Sequence, residues 1–295
     1  MKSYLKYTIA EEHQGLTVEE YLKKALQISG RKIQKLTRLT GILLNGKKVF
    51  LQKKLRAGDL LSVLSLQDRS YGVNPEAGAI DILYEDESLI VLNKPAGLLV
   101  HPAGMTTSGT LANYLADYFR QLGVICTIRP LHRLDRDTSG CLVFAKGPVV
   151  QSKMEDLLAA GKIKRTYLAL AEGLIIPAEG TISAPIASDP AKPNRRMVSE
   201  KGSQAITHYR KLKTFGQNSL VELNLETGRT HQIRVHLAYL GHPILGDRMY
   251  GRKSPLISRQ ALHAVKISFQ HPVKETEICL EAKLPGDFLK CLEMS

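Results

Sequence analysis

The stretch LHRLDRDTSG, Leu131–Gly140, crowds one histidine, two arginines and two aspartates between the apolar runs VICTIRP and CLVFAKG. In a chain of formal net charge +13, two carboxylates kept among basic residues need a reason. If the run is extended, His132 and Leu134 lie on the opposite face from Arg133 and Asp135. Thr138, Ser139 and Gly140 are expected to turn and to hold the carboxylates at the rim of a sheet. A carboxylate beside an apolar wall takes up a proton more readily and fails as an anion, and a neighbouring guanidinium reverses this. A second cluster offers such partners. In ETGRTHQIRVHLAYLGHPILGDRMYG, Arg229, His231, Arg234 and His236 fall within eight residues, and Arg234 sits in a stretch expected to be helical.

Three readings fit the two clusters. A carboxylate could do covalent or acid/base work. His132, Asp135, Asp137, His231 and His236 could instead bind a metal for phosphoester hydrolysis. The flanking arginines oppose that, because they repel a divalent cation and occupy the carboxylates. Arginine–carboxylate staples would account for the charges, but not for their concentration in two turns.

At 295 residues the chain suits one large or two smaller domains, and 43% hydrophobic content is enough for a core. Lys and Arg number 41 against 28 Asp and Glu, which calls for a polyanionic partner, with nucleic acid the first candidate. The excess is uneven: residues 1–70 carry 14 Lys and Arg against 6 Asp and Glu, so a small basic module precedes a larger, nearly balanced one. Cys126, Cys141, Cys279 and Cys291 are scattered, with no C-x-x-C, which argues against a zinc site and for a reducing compartment, the cytoplasm. The opening MKSYLKYTIAEEHQG lacks the apolar centre of a signal peptide, and no run approaches the length of a membrane span. No glycine-rich phosphate loop is present, so no nucleotide cofactor is expected, and the arginines that flank the His and Asp residues leave no metal expected. No internal repeat or low-complexity segment is present. Nothing demands more than a monomer.

The basic module can be drawn in outline. TVEEYLKKAL opens with a capping box, Thr17 with Glu20, and predicts a short helix. Ser29 is expected to cap a second helix, GRKIQKLTRL, with Ile33 and Leu36 inward and Arg31, Lys35 and Arg38 on another face beside Lys32. ILLNGKKVF predicts a hairpin turning at Asn45-Gly46, and RAGDLLSVL a further turn and strand. Lys47 and Lys48 on the hairpin, with the helix cations, form a candidate grip on the phosphates of folded RNA. A solvated helix face is the plainer alternative for the same cations. This module resembles the S4 RNA-binding domain over about 50 residues. It departs from that family where Gly30 stands between the capping Ser29 and Arg31.

DRSYGVNPEAGA is rich in turn formers and is expected to be a linker, over residues 69–80, between a domain at 1–68 and another at 81–295. Beyond it, AIDILYE, LIVLNKP, CLVFAK, TYLALAEG, AITHYRKL, SLVELNLE, ALHAVKISF and EICLEAKL read as strands. SGTLANYLADYFRQL is the strongest helix, with Leu111, Tyr114, Leu115, Tyr118, Phe119 and Leu122 on a core face. Strands joined by short turns, with few intervening helices, predict an α+β domain on a mostly antiparallel sheet. SDPAKPNRRMVSEKGSQ, with Asn194, Arg195 and Arg196, reads as a polar insertion, either a clamp on RNA or an inert loop.

HRLDRDTSG is similar to the signature H-R-L-D-x-x-T-S-G of the RluA-type pseudouridine synthases. LYEDESLIVLNKPAGLLVHP, KRTYLALAEG, LETGRTHQIRVHLAYLGHPILGDRMYG and LHAVKISFQHPV resemble that family in the same order, over about 200 residues. The resemblance implies an α+β catalytic domain with a mostly antiparallel (mixed) sheet, preceded by the S4-like domain. It also implies an isomerase that breaks the glycosidic bond of a uridine in RNA, turns the uracil and rejoins it through C5. Asp135 matches the catalytic aspartate and Arg234 the arginine paired with it. Tyr167 matches the tyrosine that stacks on the base, Leu262 an apolar wall of the base pocket, and Arg133 the arginine that holds the flipped nucleotide's place. Arg229, Arg195 and Arg196 are further candidates for RNA contact. Large-subunit ribosomal RNA is the expected substrate. Transfer RNA, or a role as a non-catalytic assembly factor, are the alternatives.

Overall fold

The computed structural model describes residues 4–26, 28, 30–64, 68 and 70–293, and the chain divides into two compact units, Met1–Arg69 and Ser70–Ser295. In the first, β1 (Tyr4–Thr8) is followed by α1 (Val18–Lys24) and α2 (Gly30–Arg38), then β2 (Ile42–Leu44), β3 (Lys47–Lys48) and β4 (Leu60–Leu64). The capping box at α1 is formed: Thr17 Oγ1 accepts from the Glu20 amide and the Glu20 carboxylate from the Thr17 amide. Ile33 and Leu36 of α2 are buried with Val18 and Leu22. The expected Ser29 cap and the Arg31 side chain lie outside the described residues. Asn45 and Gly46 both take positive φ, +49° and +78°, as a two-residue hairpin turn requires. The strand order is β1-β4-β2-β3, antiparallel throughout. Lys35, Arg38, Lys47 and Lys48 are exposed and Lys32 is half-buried.

The second unit runs β5 (Ile82–Glu85), β6 (Leu89–Lys94), α3 (Leu111–Gln121), β7 (Ser139–Ala145), α4 (Pro148–Ala159), β8 (Lys164–Glu172), β9 (Glu179–Ser183), β10 (Ile186–Ser188), β11 (Arg196–Val198), β12 (Ile206–Phe215), β13 (Asn218–Leu225), α5 (Gln232–Tyr239), β14 (Leu262–Gln270), β15 (Glu277–Glu281) and α6 (Gly286–Glu293). Its main sheet has the order β5-β6-β7-β14-β8-β13-β12-β9, with β15 on β14. Every pair in it is antiparallel except β7 with β14. The fold is α+β on a mixed, mostly antiparallel sheet. Both faces of β6 and β7 are covered. Ile90, Leu92, Leu142 and Phe144 join the core that holds Leu111, Leu115 and Phe119 of α3, while Leu89, Val91, Cys141 and Val143 pack with Met154 of α4. Burial on two sides is why LIVL and CLVFA are continuous apolar runs rather than alternating ones.

Several expectations need correction. Leu122 is exposed, because α3 ends at Gln121 and the next residue is only its C-cap. Residues 70–80 are not a free tether. The Ile128 amide donates to the Tyr71 carbonyl, Asn113 Nδ2 to that of Asn74, and the Gly109 amide to the Glu76 carboxylate. Turn-forming composition signals irregular backbone, not a lack of contacts. The polar insertion contains a strand, β11, paired antiparallel with β10. The helices α4 and α6 and the strands β1 and β9 were not expected from the sequence.

Candidate active site

The run 131–138 is irregular and enters β7, so the turn lies earlier than expected. It spans Asp135–Thr138, closed by the Thr138 amide on the Asp135 carbonyl (3.1 Å), and Ser139 and Gly140 already belong to the strand. Two buried cations clamp it. Lys94 Nζ donates to the carbonyls of Pro95, Leu98 and Arg136 (2.9, 2.8 and 2.8 Å), matching an ammonium's three donors to three acceptors. Burial outweighs the upward pull of Asp137 and Asp135 and lowers this amine to about 7. Arg259, paired with Asp287, donates to the Asp137 carbonyl (3.0 Å). Gly140 has φ +113°, and a Cβ there would meet the Ala264 carbonyl oxygen at 2.2 Å, so only glycine lets β7 run so close to β14. That approach brings the turn beside Leu262, the first residue of β14.

Helix α5 supplies the counter-charge. Arg234 Nη1 donates to Asp135 Oδ2 at 2.9 Å, and Nε and Nη2 form a fork on the two oxygens of Asp247 at 2.7 and 2.9 Å. One planar guanidinium thus serves two carboxylates, a geometry an ammonium cannot copy. Burial opposes the charge on Arg234, but the hydrogen bonds and charges of Asp247 and Asp135 outweigh it and raise its pKa. Asp247 is fully buried, and its Oδ1 also accepts from the amides of Met249 and Tyr250. The Tyr250 ring lies under the Arg234 guanidinium at 5.1 Å. Gln232, also buried, stitches the start of α5 to the turn before it through Thr227 and the Arg229 amide, and to β12 through Thr207.

A cavity of about 570 Å³ opens on this pair, lined by Asp135, Arg133, Tyr167, His231, Arg234 and Leu262 among others. Tyr167 projects from β8, buried, and burial pushes its phenol above the usual value, so it is neutral. Arg133 and Arg229 sit exposed at the wall, Arg229 donating to the Gln204 carbonyl. Arg195 and Arg196 do not line the cavity. Arg195 stacks on Tyr250 (5.3 Å) and the Arg196 amide donates to its hydroxyl (2.8 Å). His132 and Arg165 line the same cavity, and both ring nitrogens of His132 and the Nε of Arg165 are buried without a hydrogen-bond partner among the described residues.

The metal set is not assembled. His236 is a core histidine bonded to Thr207 and to the Ala184 carbonyl, and among the described residues no three His, Cys, Asp or Glu side chains converge to hold an ion. Residue type and spacing assign no role to Lys94, Asp247, Tyr250 or Arg259. A signal exists for three of them, since Lys94 stands in LIVLNKP and Asp247 and Tyr250 in GDRMYG, both within segments that resemble the family.

Residues 88–239 match the family described as RNA pseudouridylate synthase, and residues 5–61 match the RluD ribosomal pseudouridine synthase N-terminal domain. The chain is 42% identical over 285 residues to an uncharacterized RNA pseudouridine synthase, YhcT, of Bacillus subtilis, covering 96% of this chain and 94% of the relative. It is 37% identical to ribosomal large subunit pseudouridine synthase D of Xylella fastidiosa, covering 85% and 80%. Human RNA pseudouridylate synthase domain containing 4 superposes with a TM-score of 0.59 at 28% identity, over 72% of this chain and 92% of that one. The resemblance read from HRLDRDTSG and its companion segments therefore stands, and the chain belongs to the RNA pseudouridylate synthase family: it is a pseudouridine synthase, an isomerase.

Proposed function

We infer that this synthase converts uridines of structured large-subunit ribosomal RNA, with Asp135 as the catalytic carboxylate. The observation that carries the reading is the 2.9 Å pair of Asp135 with Arg234 at the wall of a cavity lined by Tyr167 and Leu262. A base within a stacked helix is out of reach and must be flipped, at a cost of a few kcal/mol. Stacking on an aromatic face returns about 1–3 kcal/mol of that. Tyr167 stacks on the uracil, Leu262 walls its other side, and Arg133 fills the gap left in the RNA. The C1′–N1 bond breaks with its electron pair on the base. C5 then bonds to C1′, the C5 proton goes to solvent, and N1 gains one. Nothing is oxidised and no energy source is consumed.

The choice of RNA rests on the relatives named ribosomal large subunit pseudouridine synthase D and on the match of residues 5–61. Pseudouridine mapping of cells with and without the gene tests it. Loss of one or more sites in large-subunit ribosomal RNA is expected, and loss confined to transfer RNA would overturn the choice. Cytoplasmic location belongs to the same proposal; no helix among the described residues is long and apolar enough to cross a membrane.

In this reading residues 1–68 bind RNA through Arg31, Lys32, Lys35, Arg38, Lys47 and Lys48, and Arg195, Arg196 and Arg229 add contacts around the catalytic slot. Replacing Lys47 and Lys48 together by Ala should weaken RNA binding without altering single-turnover chemistry. It should also flatten the salt dependence by about one unit of slope per lost phosphate contact. An unchanged slope in filter binding across a salt series would remove the hairpin from the RNA interface.

A further inference from the structure

His231 has no part in the reading above, yet its ring stands at the carboxylate. It precedes α5 with φ +59°, a left-handed conformation that histidine and asparagine tolerate better than most side chains. Its Nε2 is 3.9 Å from Asp135 Oδ2, the oxygen that also receives Arg234, and the ring lines the cavity. At 3.9 Å the two are not hydrogen-bonded. The nitrogen faces the space that atoms acted on by Asp135 must enter.

The other ring nitrogen decides which proton is carried. His231 Nδ1 lies 2.9 Å from the Tyr250 hydroxyl. That hydroxyl also receives the Arg196 main-chain N–H at 2.8 Å, a group that can only donate. Among the described residues, His231 Nδ1 is the acceptor within reach of the phenolic proton. Tyr250 therefore donates to Nδ1, and a neutral imidazole then carries its hydrogen on Nε2. Burial keeps the ring neutral, lowering its pKa, with Asp135 opposing and Arg234 assisting. The relay runs from the amide of β11 through Tyr250 to an N–H aimed into the slot.

Resting on the assignment of Asp135 and the slot, we propose that His231 donates a hydrogen bond from Nε2 to a carbonyl oxygen of the uracil as it leaves the sugar, with Tyr250 as the positioning residue that fixes its tautomer. The departing base takes the bonding pair, and its charge spreads onto the carbonyl oxygens. A preset neutral donor at that edge stabilises the charge as it develops, without repelling Arg234 as an imidazolium would. Loss of one such donor typically lowers turnover by about 10²–10³-fold.

Two measurements test this. Long-range ¹H–¹⁵N NMR of the histidine rings should show His231 as the Nε2–H tautomer in the wild type and as a mixture in Tyr250→Phe. Tritium release from C5-labelled uridines is then followed on large-subunit ribosomal RNA from cells lacking the gene. His231→Asn accepts the same backbone conformation and keeps a group near Nδ1, but removes the Nε2 donor. Its kcat should fall on the order of 10²-fold with KM within about threefold of wild type. His231→Gln, whose amide reaches the Nε2 position, should recover part of that loss. An Nδ1–H tautomer in the wild type, or His231→Asn turning over at the wild-type rate, overturns the proposal. Silence of the wild type on this RNA overturns the functional reading instead, and the NMR result then decides the relay alone.

Discussion

Asp135→Asn is expected to lower pseudouridine formation by about 10⁴-fold or more while RNA binding stays within a few-fold of wild type. The replacement is nearly isosteric, and its carbonyl oxygen can still accept from Arg234 Nη1, now 2.9 Å from Asp135 Oδ2. What disappears is the negative charge facing the cavity. The neighbouring Asp137 is the internal control. It shares the turn but not the cavity lining, so Asp137→Asn should keep turnover within about tenfold. Tritium release from C5-labelled uridine, with filter binding of the same RNA, separates chemistry from affinity. Turnover of Asp135→Asn within tenfold of wild type would sink the assignment. Loss of binding alongside turnover would point to a positional role instead.

Arg234→Lys, a change usually called conservative, is expected to damage both stability and activity. The guanidinium gives two parallel bonds to Asp247 and a third to Asp135. A single ammonium can reach some of these oxygens but not all three in one plane. Asp247 is fully buried, so a lost partner leaves charge without solvent or counter-ion. Breaking such a pair costs about 3–5 kcal/mol when one member is removed, and about 3 kcal/mol is expected for the lysine. For a unit of this size that is about 6–12 °C in Tm. Activity should fall by about 10²-fold or more, because Asp135 loses a partner held in place from behind. Differential scanning calorimetry and single-turnover assays of the purified variant give both quantities. A variant with wild-type Tm and turnover would mean that the fork on Asp247 has no role in holding Asp135.

The residues that chemistry needs by type were visible in the chain, and the residues that hold them were not. Asp135, Tyr167, Arg234 and Leu262 were read from motifs, and they line one cavity although Asp135 and Arg234 are 99 residues apart. Lys94 and Arg259 gave no local sign of what they would bond. Each donates to carbonyls of the 135–138 turn, across 42 and 122 residues respectively. A side chain that bonds a distant backbone oxygen looks in sequence like any other Lys or Arg. The β10–β11 pair escaped for a similar reason: its strands are three residues each, too short for alternation to register, and form by pairing with each other.

By itself the amino-acid order determined the family, the catalytic candidates, most strands of the catalytic unit, the Asn45-Gly46 hairpin and the start of α1. All of these are written in residue type and near spacing, because caps, turns and alternating faces involve neighbours a few positions apart. Only the tertiary structure decided that Arg234 divides its donors between Asp135 and Asp247, that Gly140 lets β7 approach β14, and that Tyr250 sets the proton on His231. Those outcomes depend on ångström-scale distances between groups far apart in the chain, and such distances exist only after the sheet has formed and water has been excluded.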